Sequence, residues 1–417
     1  MKITPKTINI IFKRLLVTIG IVFFLRIGTF FPVPGINQIQ LAFYLQSHSN
    51  IRNLISTFSG NDTFVIGLFT LNIFPYINAT IFTQFLVKFL PKLSKMQKEG
   101  DLESRRSINQ LTRFITLIWA LIQSTAVSFY LKPVLINWSY SLAFEIVLWL
   151  TTGAMIVLWL SDLITDYGLG NGSSILIYTN IISNLPNFSK KVLLENSENL
   201  SIFSKLEIVL FIFASLCGIV FLNEGIRTIP LISSKQLNQK SRRNSITDNN
   251  YLPLRFNQAG VMPIILTTAL LVIPNYISQF GFFGSINLSF NSPAFGFIYW
   301  ISYFGLILFF SSYYSSLVLN PKDISDQLQK MAVAIPGIRP GIKTTFYLKQ
   351  IMNRVTLIGA TMLAILIILP NFLVSNLSLT GLNGLGTTSL LILAGVILDL
   401  GREIKNIYYS NVYNNKY

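Results

Sequence analysis

About ten apolar stretches recur along this chain, each near the roughly 20 residues that a helix needs to cross a bilayer core. They lie at residues 15–33, 54–90, 114–131, 142–160, 173–185, 206–222, 259–273, 295–319, 351–372 and 388–400. The second is a broken pair counted once, and 173–185 and 388–400 are short enough to borrow polar flanks. Composition agrees: 52% of residues are hydrophobic and 12% charged, where a soluble domain carries about 25% charged residues. The pattern predicts an all-α polytopic membrane protein. One cysteine, Cys217, excludes an internal disulfide, and one histidine, His48, builds neither a metal site nor a proton relay alone.

Lysine and arginine set the orientation of such a chain. The N-terminus carries Lys2, Lys6, Lys13 and Arg14, and the next loop (34–53) only Arg52. Basic residues return at 88–113, at 223–258, at 320–350 and in the tail. They are absent from 274–294 and 373–387. Both termini therefore fall on the positive, cytoplasmic-type side, and the net charge of +16 follows from topology, not from nucleic-acid binding. Two loops fit poorly. Residues 161–172, expected inside, carry Asp162 and Asp166; residues 186–205, expected outside, carry Lys190, Lys191 and Lys205. The first span runs on through Arg26 to Val33 without a small-x-small cleavage site, so a retained helix is expected rather than a signal peptide. An even number of spans divides into two five-helix halves that start on opposite sides, an inverted repeat common in transport proteins.

The stretch at 57–89, TFSGNDTFVIGLFTLNIFPYINATIFTQFLVKF, is the anomaly. Its apolar run is interrupted by Ser59, Gly60, Asn61 and Asp62, then by Asn72, Pro75 and Asn78. Non-helical backbone at membrane depth survives only where protein or a water-filled cavity covers it. The sequence predicts a half-helix at 54–71, a break near Asn72–Pro75, and a helix from about Tyr76. On that helix Ile77, Ile81 and Gln84 share one face, while Asn78, Thr80 and Thr83 fall elsewhere.

The loops at 223–258 and 320–350 exceed the length of bare connections, which points to function or disorder. The first holds the basic run Lys240, Arg242 and Arg243. Such a run serves topology as readily as binding. The second holds IPGIRPG at 335–341, where two Pro-Gly turns would stiffen an exposed Arg339 tip. Topology needs charge but not rigidity, so a docking role is expected there.

Other chemistries fit less well. A secondary transporter places ionisable residues near midplane for coupling. Here the within-span charges Arg26, Glu145, Glu207 and Asp399 lie near span ends. No catalytic constellation is expected: His48 is in an outside loop, and Asp162 and Asp166 lack a paired base. GLGNG at 168–172 sits between apolar helices and not after a strand, so it is no phosphate loop. Cys217 in an apolar helix reads as a small packing residue.

Taken together, several motifs resemble the SecY family, the channel subunit of the Sec protein translocase. They are TFSGNDTF…LNIFPYINATIFTQFL, RIGTFFPVPGI at 26–36, QKEGDLESRRSINQLTRF at 97–114 and GLGNGSSILI at 168–177. YLPLRFNQAGVMP at 251–263, LNPKDISDQLQK…AIPGIRPG at 319–341 and GTTSLLILAGVILDL at 386–400 continue the order. The resemblance covers almost the whole chain. It implies about ten helices in two inverted halves around a central pore, with a plug half-helix. It also implies an apolar pore ring at Ile77, Ile81, Ile177, Ile265 and Ile392. The plug would carry Phe58, Ser59, Gly60, Asn61 and Phe64, with Phe69 beside them against the ring. A lateral gate would run between the second and seventh spans through Asn78, Gln84, Gln258, Thr267 and Thr268. Arg339 with Lys240, Arg242 and Arg243 would dock a SecA motor or a ribosome.

The resemblance further implies SecE, a possible SecG-like subunit and signal-bearing preproteins as partners, and no enzymatic activity, cofactor or metal. Expected segments are 1–14 on the positive side, 15–185 as the first half with plug 54–72, 186–205 as an external hinge loop, 206–400 as the second half, and 401–417 as the tail. Sequence similarity to plastid and cyanobacterial members, with AT-rich residue usage, implies a thylakoid membrane; a bacterial inner membrane is the alternative.

Overall fold

The computed structural model describes residues 5–36, 41, 66–99, 101–132, 135, 138–190, 202–233, 251–258, 260, 262–264, 266–267, 270, 293–376 and 387–414. The chain divides into two compact units, Met1–Glu198 with Val396–Tyr417, and Asn199–Gly395.

In the first unit, α1 (Pro5–Gly28) is followed by a turn and backbone to Ile36, where Pro32 bridges Gly67, and residues 68–73 form successive turns. Then come α2 (Phe74–Phe89), α3 (Pro91–Glu99), α4 (Leu102–Tyr130), α5 (Tyr140–Tyr167) and α6 (Gly172–Lys190). α2 packs on α4, and α4 on α5. Ser139 caps α5 by accepting the Leu142 N–H at 3.1 Å, which satisfies one orphan donor of the first turn. Along α5, Ile146, Leu150, Gly153, Val157, Leu160 and Ile164 are buried, the spacing of one helix face. Ile146, Leu150 and Ala154 join Val33, Leu41, Ile66, Leu71 and Ala120 in the core of this unit. A Cβ at Gly153 would collide with the Leu68 carbonyl; glycine lets the turn before α2 press directly on α5.

In the second unit, α7 (Ile202–Glu224) precedes β1 (Ile226–Pro230), β2 (Ile232–Ser233) and β3 (Tyr251–Arg255). The seventh apolar stretch is helical at its described residues 262–264, 266–267 and 270. α8 (Pro293–Val318), α9 (Pro321–Lys330), β4 (Val333–Ala334) and α10 (Ile342–Asn376) follow, and α11 (Thr387–Asn414) contributes to both units. α10 is the hub, packing on α7, α8 and α9. Its apolar core joins Ile219, Leu222, Ile264, Tyr303, Ile307, Leu363 and Ile367.

The fold is all-α as expected, and its two long basic loops add short antiparallel strands. β1 pairs antiparallel with β3, from Ile226↔Arg255 to Pro230↔Tyr251. β2 pairs with β4 through Ile232↔Ala334 and Ser233↔Val333. The second pairing ties the two long basic loops into one folded body. Ile229, Leu254, Leu328, Ile335, Leu348 and Ile351 fill its core, each apolar side chain stabilising by about 1.5–3 kcal/mol when fully buried.

Among the described residues, Leu102–Phe129, Tyr140–Tyr167, Trp300–Lys330 and Ile342–Ile368 are long and apolar enough to cross a membrane, by length and composition. Helices also run beyond the apolar stretches: α4 begins twelve residues before 114, on the polar segment LESRRSINQLTR.

Candidate functional site

The break in the second span is built from backbone turns. The Thr70 N–H bonds the Gly67 carbonyl at 3.1 Å, Asn72 N–H that of Phe69 at 3.0 Å, and Phe74 N–H that of Leu71 at 3.3 Å. Asn72 adopts φ 47°, the left-handed conformation that asparagine tolerates better than most residues. Its Oδ1 accepts the Ile73 N–H at 2.8 Å. Pro75 then sits in the first turn of α2, where its missing N–H costs nothing. The break thus falls at Asn72–Ile73, and the helix starts two residues before Tyr76. Residues 66–71, expected to end a half-helix, are not helical: Gly67 bridges Pro32 and turns run from 68, because Ile66 and Leu68 are engaged by the backbone after α1. The Val33 N–H reaches the Ile66 carbonyl at 3.2 Å, and the Leu68 N–H that of Phe31 at 3.0 Å. The Phe69 ring is pressed against Gly28 of α1. Phe58, Ser59, Gly60, Asn61 and Phe64 lie outside the described residues.

Of the apolar ring expected from the resemblance, Ile77 is 7% exposed. Ile81 on the same face of α2, Ile177 on α6 and Ile392 on α11 are half-buried. Ile265 lies outside the described residues, as does Thr268. Asn78 and Gln84 on α2 are half-buried. Thr267 is fully buried and donates to the Pro263 carbonyl at 2.8 Å.

The start of the seventh span is held by side chains far apart in sequence. Asn257 Nδ2 donates to Asn223 Oδ1 at the end of α7, at 2.9 Å. Ser315 Oγ of α8 donates to Gln258 Oε1 at 2.8 Å and lies 2.8 Å from Thr356 Oγ1 of α10. No sequence signal separates Ser315 and Thr356 from other hydroxyls. Most span hydroxyls, such as Thr83, Thr116 and Thr151, bond carbonyls of their own helix.

Arg339 is exposed at the tip of its loop. The Ile338 N–H bonds the Ile335 carbonyl at 3.1 Å, and Gly337 has φ 78°. With Pro336 before Gly337 this is a type II turn, which needs φ > 0 at its third residue. The Arg339 carbonyl accepts from Thr344 Oγ1 at 2.9 Å, and buried Ser325 of α9 ties the Gly341 carbonyl at 3.1 Å. The backbone is fixed while the guanidinium stays in solvent. Lys240, Arg242 and Arg243 lie outside the described residues.

Three side chains have surroundings that the sequence does not report. Asp162 is ion-paired: Arg113 Nη2 is 2.7 Å from its Oδ2. The pairing escapes notice in sequence because Arg113 stands before the apolar run, yet α4 is already helical there. Arg26, in the last turn of α1, donates from Nη2 to the Thr179 carbonyl of α6. It lines, with Thr29, Asn72, Thr179 and Asn180, a space of about 20 Å³, room for one water. Cys217 is exposed on α7 and is not a core packing residue.

The family described as SecY matches residues 67–401. The chain belongs to the SecY family. It is 61% identical over 409 residues to a protein translocase subunit SecY of Trieres chinensis, covering 96% of each chain. It is 41% identical to that of Guillardia theta, over 96% of this chain and 95% of that one. Against Synechococcus elongatus it is 39% identical, over 96% and 93%. Among solved structures it resembles a SecY protein whose plug domain stabilises the closed translocation channel and maintains a membrane seal. That likeness has TM-score 0.67 and 16% identity, over 98% of this chain and 93% of that chain. It also resembles Sec61 of the canine ribosome–channel complex, with TM-score 0.63 and 15% identity over 98% and 93%. At these identities the structures speak to the fold. The chain is a membrane protein and a translocase subunit of this family.

Proposed function

We propose that the chain is the protein-conducting channel of a Sec translocase, passing unfolded preproteins across the membrane and releasing hydrophobic segments sideways into it. The observation that carries this reading is a second span broken by the Asn72 turn and followed by a helix with Ile77 and Ile81 on one face, in a chain of this family. Ile77, Ile81, Ile177, Ile265 and Ile392 form an apolar constriction. Such a ring gates ions by dewetting and yields to a passing chain. Residues 54–72, with Phe58, Ser59, Gly60, Asn61 and Phe64, form the plug beneath it. Asn78 and Gln84 on α2 face Gln258, Thr267 and Thr268 across a lateral gate. A signal sequence opens that gate by binding the open arrangement more tightly.

Arg339, with Lys240, Arg242 and Arg243, docks a SecA-type motor or a ribosome, whose RNA favours clustered cations. SecE and a SecG-like subunit complete the complex. Relatives from algal plastids and cyanobacteria support a thylakoid membrane as its location. Purified complex in sealed vesicles, given a motor, ATP and a signal-bearing preprotein, tests the reading. Protease-protected preprotein inside the vesicles is expected; coupled flux of a small solute without preprotein uptake would favour a secondary transporter instead.

A further inference from the structure

The last turn of α1 carries a positive charge that no acidic side chain answers. Arg26 belongs to the first apolar stretch and is half-buried. One of its guanidinium N–H groups goes to the neutral Thr179 carbonyl of α6, and the others remain to be bonded. Among the described residues no carboxylate lies within ion-pair distance of it. An ionised group at membrane depth is costly unless something pairs with it.

The space of about 20 Å³ beside Arg26 has a wall rich in donors. Asn72 lines it and is buried. Because Asn72 Oδ1 accepts the Ile73 N–H at 2.8 Å, the orientation of its amide is fixed, and Nδ2 is the atom left to bond. Asn180 of α6 adds a second amide to the same wall. Thr29 and Thr179 have already given their hydroxyl protons, to the Arg26 and Ile175 carbonyls, each at 2.7 Å. The rest of the wall is apolar, including Leu25, Phe69 and Val157. Among the described residues no acceptor takes the Nδ2 protons of Asn72 or Asn180. A water would bring two more protons to a site already supplied with donors. A small anion brings acceptor capacity and the opposite charge together.

We propose that Arg26, Asn72 and Asn180 form a binding site for one small monovalent anion of the halide class. All three belong to the first unit. Arg26 supplies the charge, and the two amides supply directed N–H groups. The bound anion joins the last turn of α1, the left-handed turn ahead of α2, and α6. It thereby fastens the break in the second span to two neighbouring helices. Binding here does not depend on preprotein transport, so the site stands or falls separately from the channel reading.

The test is the thermal midpoint of the purified complex as chloride replaces gluconate at constant ionic strength. Gluconate is too large for a space of this size. A ligand of the folded state stabilises it by mass action. The midpoint of the unmutated complex is therefore expected to rise with the logarithm of chloride concentration, and bromide is expected to act as chloride does. In Arg26→Gln the rise is expected to vanish. In Asn180→Leu, which keeps the charge but removes one amide, the rise is expected to need about ten-fold more chloride, the loss of one hydrogen bond to a charged group. A midpoint of the unmutated complex indifferent to chloride would overturn the proposal and leave a water as the occupant. So would variants that respond to chloride as the unmutated complex does, which would mark a general salt effect. If Arg26→Gln does not accumulate, Asn180→Leu decides.

Discussion

Ile77 shows how much one side chain is asked to do. It is buried at the start of a helix that follows a left-handed asparagine, so its position is set by backbone turns and not by loop length. Ile77→Asn is expected to raise ion leak through resting vesicles several-fold, since an amide at a narrow apolar ring holds water. Conductance no higher than in the unmutated complex would count against a ring at this position. Gly359 makes a different demand. Gly359→Ala sets a methyl against the Phe256 carbonyl, and overpacking of this kind costs about 1–3 kcal/mol. A lower thermal midpoint of the purified complex is expected, and an unchanged midpoint would mean that the β3 junction is not held against α10. Residue-scale chemistry was partly legible in sequence. Asn72 and Pro75 announce the break because few residues tolerate φ > 0 and proline suits a first helical turn. Ser315 and Thr356 announce nothing, because a hydroxyl in an apolar helix has its own helix's carbonyl as a ready partner.

Elements were legible wherever hydrophobicity decides them. Apolar stretches located α5, α8 and α10 because a spanning helix must satisfy its own backbone in lipid. Helix ends were not legible, since polar residues continue a helix once it leaves the apolar layer; α4 from Leu102 and α11 to Asn414 are both longer than their apolar cores. The Arg113–Asp162 pair follows from that extension. Exchanging the charges, Arg113→Asp with Asp162→Arg, is expected to recover stability that either single change loses, with a coupling of about 0.2–1 kcal/mol for so exposed a pair. Additive losses in the double variant would show the pair to be incidental. Strands β1–β4 also escaped sequence reading. Each has few residues and a single-sided apolar pattern too short to separate from a loop. The Arg339 turn beyond β4 is held by the Ile338–Ile335 bond and by Thr344 and Ser325. Arg339→Glu is therefore expected to abolish motor-driven preprotein uptake by reversing charge at a fixed tip, without lowering the amount of assembled complex. Uptake at the unmutated rate would dismiss the docking role.

For the whole molecule, the anomaly that a span at 57–89 is too broken for lipid becomes a statement about architecture. In the proposed channel the second span needs a facing wall, and the seventh span is the one proposed. Nothing in one sequence reports such a pairing, because two helices that part and rejoin share no local pattern. The most direct measurement is crosslinking of a stalled secretory preprotein to single photoreactive residues placed on α2 and on the seventh span. Its apolar signal core is expected to crosslink to both helices, at Asn78 or Gln84 and at Thr267 or Thr268, and only when a functional signal sequence is present. Crosslinks to one helix alone, or crosslinks indifferent to the signal, would contradict a gate formed by these two walls.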